Sequence, residues 1–186
     1  MIGLYSIGPT AVTATRETAP IDLLSALLAF ATGLVQASLA PVLATADLRL
    51  NLILAATVAV TVLFGLGAGA TWAFVGGLTA NLLTTDAVGT IPLGLLAVVG
   101  LVTLAGRAIG RHGAWLALLG GVLGSLVLDA TGLAVLLWES TTAAPDFGGL
   151  LRVMVPSALL NGALAAGLYL AARSVSGRLG YVPSLV

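Results

Sequence analysis

LNLILAATVAVTVLFGLGAGATWAFVGGLTANLLTT, residues 50–85, runs for 36 residues without a charge. As a single α-helix it would be about 54 Å long, against a hydrocarbon core of about 30 Å. Its apolar residues are continuous rather than alternating, which argues against the strands of a membrane barrel. The stretch therefore folds as two helices, and the glycines at Gly65, Gly67 and Gly69 are the natural break. This predicts two short spans, Leu50–Phe64 and Ala68–Leu83.

Working outward, charges and prolines mark the other spans. Pro20 and Pro41 bracket Ile21–Ala40, and a fourth span runs from Ile91 to Gly106, stopping at Arg107. A fifth covers Ala114–Trp138, where Trp115 and Trp138 lie 23 residues apart, placing one indole at each membrane interface. A sixth, Val153–Ala172, is anchored by Arg152 and Arg173. The expected fold is an all-α polytopic membrane protein, a bundle of about six transmembrane helices. Residues 1–20 read as a flexible amino-terminal tail, lacking the charged start and apolar core of a secretory signal. Residues 21–173 form the transmembrane domain, and residues 174–186 a cytoplasmic carboxyl tail.

Composition agrees with a lipid environment. The chain is 59% apolar and 8% charged, with a mean hydropathy of +1.15. A soluble domain carries roughly a quarter charged residues, so this chain cannot cover itself with polar surface. Net charge is zero, which removes the case for nucleic-acid binding through a basic face. With no cysteine, disulfides, thiolate metal sites and cysteine nucleophiles are excluded.

Arginines orient the bundle. With six spans, one side carries Arg16, Arg107, Arg111, Arg173 and Arg178, the other only Arg49 and Arg152. Basic residues favour the cytoplasm, so both termini are expected there.

Polar residues at membrane depth are the candidates for function. Asp129 lies fifteen residues into the fifth span and shares a helical face with Gly121, Ser125 and Gly132. Small residues admit a neighbouring helix, so this carboxylate is expected to point at a helix or a cavity. It is either a ligand, proton or partner contact, or a structural carboxyl bonded to a neighbour. In the third span, Gly69, Ala73, Gly76, Gly77 and Ala80 make a small-residue strip with Asn81 at its edge. Gln36, Asn51 and Asn161 are the remaining amides, read with Asn81 as interhelical hydrogen bonds rather than binding sites. Gly120 and Gly124 add a weak GxxxG. His112, the one histidine, has no carboxylate cluster with which to hold a metal and reads as a solvated loop residue. No serine or threonine has the histidine or lysine partner of a nucleophile, and no phosphate-cradling loop is present. No catalytic residue, cofactor site or metal site is expected. The loop Glu139–Leu151, with Pro145, Phe147 and the neighbouring Trp138, is the candidate for partner contact.

The order of motifs resembles a known family. VQASLAP (with Gln36 and Pro41) is followed by Asp47-Leu48, the glycine-rich GAGATWAFVGGLTANLL, and PLG at Pro92–Gly94. This is similar to the rod-shape-determining protein MreD, over roughly Leu23–Leu170. The family usually places an aspartate where this chain has Asn81, and Asp86 follows five residues later. The resemblance implies a non-catalytic scaffold of the bacterial cell-elongation complex in the cytoplasmic (inner) membrane. Such a subunit binds MreC and supports peptidoglycan synthesis by RodA and a class B penicillin-binding protein, and hence cell shape. MreD also resembles the substrate-binding S-components of energy-coupling-factor vitamin transporters, which is the alternative implication. An S-component would need a pocket lined by polar and aromatic groups, and this chain has 5% aromatics.

Overall fold

The computed structural model describes residues 19–44, 49–84, 87–110, 113–139 and 147–178. These form six α-helices: α1 (Ala19–Ala44), α2 (Leu52–Phe64), α3 (Leu66–Leu82), α4 (Thr90–Ile109), α5 (Ala114–Glu139) and α6 (Phe147–Arg178). The described residues contain no strand. Within α4, α5 and α6, the segments Thr90–Ile109, Ala114–Val135 and Leu151–Ser176 are long and apolar enough to cross a membrane. Leu23–Leu39 and Leu52–Phe64 are shorter apolar helices. The fold is an all-helical bundle of a membrane protein.

The long uncharged stretch does divide, and it divides at one residue. Gly65 has φ 85° and ψ −170°, a region open only to glycine. Its N–H still donates to Thr61 O at 2.9 Å, while its carbonyl accepts from Gly69 N–H at 3.1 Å. α2 and α3 thus meet across a single residue, with Gly67 inside α3 and Gly69 packed on Thr61 of α2. The expected three-glycine break is corrected to Gly65 alone.

α2 is the centre. It packs against every other helix, and α1, α3, α4, α5 and α6 follow one another around it. Its Ile53, Leu54, Ala55, Val58, Ala59 and Val62 are buried, together with Leu95, Val98, Val99 and Val102 of α4. Small residues set how closely the ring can approach. A Cβ at Gly33 of α1 would lie 2.6 Å from Gly76 O of α3, and one at Gly121 of α5 would lie 2.7 Å from Gly162 Cα of α6. Gly120 and Gly124, a weak signal by sequence, pack α5 onto Val102 and Val98 of α4 and onto Val58 and Leu54 of α2.

Some boundaries move. α1 begins at Ala19, inside the expected tail, and α6 continues to Arg178, beyond the expected end of the domain at residue 173. The expected loop Glu139–Leu151 is shorter: α5 includes Glu139, and α6 starts at Phe147 with Gly148 and Gly149 in its first turn. Trp115 and Trp138 are both exposed, near opposite ends of α5.

Candidate functional site: a polar clamp at the start of the central helix

α2 has only 13 residues, about 20 Å of helix, and it begins below the ends of its neighbours. Its entry lies beside Gln36, eight residues before the end of α1, and beside Asn161, fourteen residues into α6. The chain from Arg49 to Asn51 is not helical, and Asn51 is extended (φ −119°, ψ 90°). Non-helical backbone at membrane depth is tolerated only where protein or water satisfies its polar groups.

Two side-chain amides supply those partners, one on each side. An extended chain points the polar groups of successive residues to opposite sides. On the α1 side, Gln36 Nε2 donates to Leu50 O at 3.2 Å, and Leu52 N–H donates to Gln36 Oε1 at 2.6 Å. On the α6 side, Asn161 Nδ2 donates to Arg49 O at 3.0 Å, and Asn51 N–H donates to Asn161 Oδ1 at 2.8 Å. Arg49 N–H donates to Ser157 Oγ of α6 at 3.0 Å. Each amide serves one carbonyl and the N–H two residues later, as a neighbouring strand would. α5 contributes Ser125, whose Oγ accepts a second bond from Asn161 Nδ2 at 3.0 Å. Asn161, Ser157 and Ser125 are buried.

Asn51 caps the helix that the clamp delivers. Its Oδ1 accepts from Leu54 N–H at 2.9 Å, an N-cap bond. The expectation that Asn51 bonds across to another helix through its side chain is therefore corrected, because the free N–H groups of its own first turn are nearer.

Asp129 lies one turn beyond Ser125 on α5, on the same face. Its Oδ1 is 3.8 Å from Arg49 Nη1, a long ion pair. Its Oδ2 is buried without a hydrogen-bond partner among the described residues. The face predicted to carry Asp129, Ser125 and Gly121 does meet other parts of the protein. Gly132 does not belong with them: it is exposed, and a Cβ there would touch nothing within 4 Å.

Asn81 is a separate feature, holding the turn between α3 and α4. Its Nδ2 donates to Ala87 O at 3.2 Å, and its Oδ1 accepts from Gly89 N–H at 2.6 Å. An aspartate could accept from Gly89 but could not donate to Ala87, so this turn uses the amide as an amide. Asp86 and Pro145 lie outside the described residues, as does His112. Phe147 is the first residue of α6, and Trp138 is 91% exposed on the last turn of α5.

Of the residues singled out in the sequence, Gln36, Ser125, Asp129 and Asn161 converge on the entry to α2. Sequence reasoning missed Ser157 and the role of Arg49. Ser157 and Asn161 share a face of α6 at i,i+4 spacing, the one signal that pointed to them as a pair. Arg49 entered only as a charge for topology.

Fold and site together define an all-helical membrane protein whose central helix starts inside the bundle on a scaffold of amides. No family model matches the chain, and no curated protein or solved structure matches it.

Proposed function

We propose that this protein is a non-catalytic membrane scaffold, and that it serves bacterial cell elongation as an MreD-like subunit. The observation that carries this reading is how the membrane-depth polar groups are used. Gln36, Ser125, Ser157 and Asn161 are engaged in closing the protein's own backbone, and Asn81 closes a turn. A bundle built this way presents a fixed shape to its surroundings. The order of motifs from VQASLAP to PLG supports the family, and Gln36 within the first motif has a physical task, holding Leu50 and Leu52. In this reading the protein lies in the cytoplasmic membrane with both termini in the cytoplasm. Its partners are an MreC-like protein, RodA and a class B penicillin-binding protein.

Purification from native membranes in mild detergent tests the proposal. The expected result is recovery of elongation proteins with the intact chain. Recovery of a vitamin-like small molecule and no elongation protein would favour the transporter S-component instead. Reporter fusions at Gly110 and at the carboxyl end are both expected to read cytoplasmic; a periplasmic signal from the carboxyl end would overturn the topology.

A further inference from the structure

The ring around α2 is incomplete. α1 packs on α3, α3 on α4, α4 on α5 and α5 on α6, but α6 and α1 do not pack on each other. At interaxial distances of 8–10 Å, about six helices fit around a central one. Among the described residues α2 has five neighbouring helices, so one helix-wide place is vacant there, and it lies between α1 and α6.

The vacancy has a floor, a wall and a fixed mouth. Leu52, Ala56, Val60 and Leu63 share one face of α2 and are half-buried, whereas most of the helix is fully buried. On α6, Gly162 faces α5 and Asn161 faces the entry to α2. Turning further the same way around α6 reaches Leu164, Leu160, Ala171 and Gly167. A Cβ at Gly167 would meet nothing within 4 Å. At the outer end, Gln36 on one wall and Asn161 on the other both bond the same four-residue segment of the floor, which fixes the width between them. Arg49 emerges at this mouth with its side chain 65% exposed, and Asp129 is 3.8 Å away.

We propose that a single apolar transmembrane helix of a partner protein occupies this sixth place, with a carboxylate-bearing residue at its outer end beside Arg49. The proposal rests on the scaffold reading and gives that scaffold its contact surface. Ala56, Gly167 and Ala171 let a helix backbone approach closely, which is where association in lipid gains its van der Waals contact. An exposed arginine at the mouth of the vacancy favours an anionic partner there, and its loose pairing with Asp129 leaves donors of the guanidinium uncommitted.

The chain has no cysteine, so single reactive positions can be introduced without background. Val60→Cys and Ala171→Cys, each carrying a benzophenone and irradiated in native membranes, are expected to cross-link to the same apolar segment of one partner, identified by mass spectrometry. Leu104→Cys and Leu123→Cys, exposed on α4 and α5 away from the vacancy, are expected to give lipid adducts only. Gly167→Leu and Gly100→Leu form a matched pair, since both glycines have open space around them. Both variants are expected to be made in normal yield, with partner recovery reduced at least tenfold for Gly167→Leu alone. Equal recovery from the two overturns the proposal, as does a cross-link between two copies of this chain. Partner adducts from Leu104→Cys or Leu123→Cys but not from Val60→Cys would move the contact elsewhere and leave the scaffold reading standing. Lipid adducts at all four positions, with no partner recovered by the unaltered chain, would remove both.

Discussion

The entry to α2 and the seam between α5 and α6 are neighbouring regions held by opposite means. At the entry, five hydrogen bonds from Gln36, Ser157 and Asn161 close a backbone that cannot close itself. Along the seam, Gly121 and Gly162 bring two regular helices into backbone contact, with Ala165 beside them. Asn161 belongs to both: its side chain serves the entry, and its carbonyl would lie 2.8 Å from a Cβ at Gly121. Hydrogen bonds between membrane helices average only about 0.6 kcal/mol, because the same side chains also find partners when the helices are apart in the membrane. Those at the entry are in a different position, because the alternative to each is an unpaired backbone group at membrane depth. The lesson is that the same residue types carry different weight according to what they close.

Substitutions at four positions would break or sharpen that contrast. The largest effect is expected from Gly121→Leu. Its first carbon alone would sit 2.7 Å from Gly162 Cα, so α5 and α6 must separate along the seam. Overpacking of this kind costs about 1–3 kcal/mol or more, and here it also pulls Asn161 from the entry. Folded yield in detergent is expected to collapse; a yield near that of the unaltered protein would place this face toward lipid.

Asn161→Leu comes next. It leaves Arg49 O and Asn51 N–H without their partner and removes a donor from Ser125. At about 1–3 kcal/mol for each buried group left unpaired, the thermal unfolding midpoint is expected to fall sharply. Asn161→Asp separates the two halves of the interaction. It keeps the acceptor for Asn51 N–H and loses the donor to Arg49 O, so its midpoint should fall between those of Asn161→Leu and the parent. Equal midpoints for all three proteins would show that the amide is not a clamp.

Gln36→Leu is expected to cost less, because it removes one amide with two bonds at a partly buried position. The loss should appear first as faster amide hydrogen exchange at Leu52, while the α5–α6 seam stays protected. Exchange that rises equally at both would mean that the two regions unfold as one unit.

Asp129→Asn should do least. The 3.8 Å pair with the exposed Arg49 belongs to the class of ion pairs worth about 0–1 kcal/mol. The other carboxylate oxygen loses no partner when it becomes an amide. A change in unfolding midpoint of a degree or two is expected, and a drop as large as that of Asn161→Leu would assign Asp129 to the clamp itself.

Much of this architecture was legible before the fold. The absence of charge over residues 50–85, set against the thickness of a bilayer, already demanded a break near Gly65, because only glycine adopts the conformation found there. The helical period placed Gly121, Ser125 and Asp129 on one face of α5, because that spacing is a property of one continuous helix. The same rule failed for Gly132, which shares the face by helical period but has open space where a Cβ would stand. Gln36, Asn81 and Asn161 could be found by sequence because amides are conspicuous at membrane depth. What each amide closes could not be found that way.

Residue type and spacing are local quantities, and they determined the number of helices, their order and the faces on which polar residues lie. Only the tertiary structure decided that α2 is central, that it begins inside the bundle, and that Arg49–Leu52 is the segment the amides serve. The partners in that clamp lie 14 to 112 positions apart in the chain. Their meeting is fixed by which helices pack around α2, and that follows from where glycines allow close approach rather than from any pattern within one span.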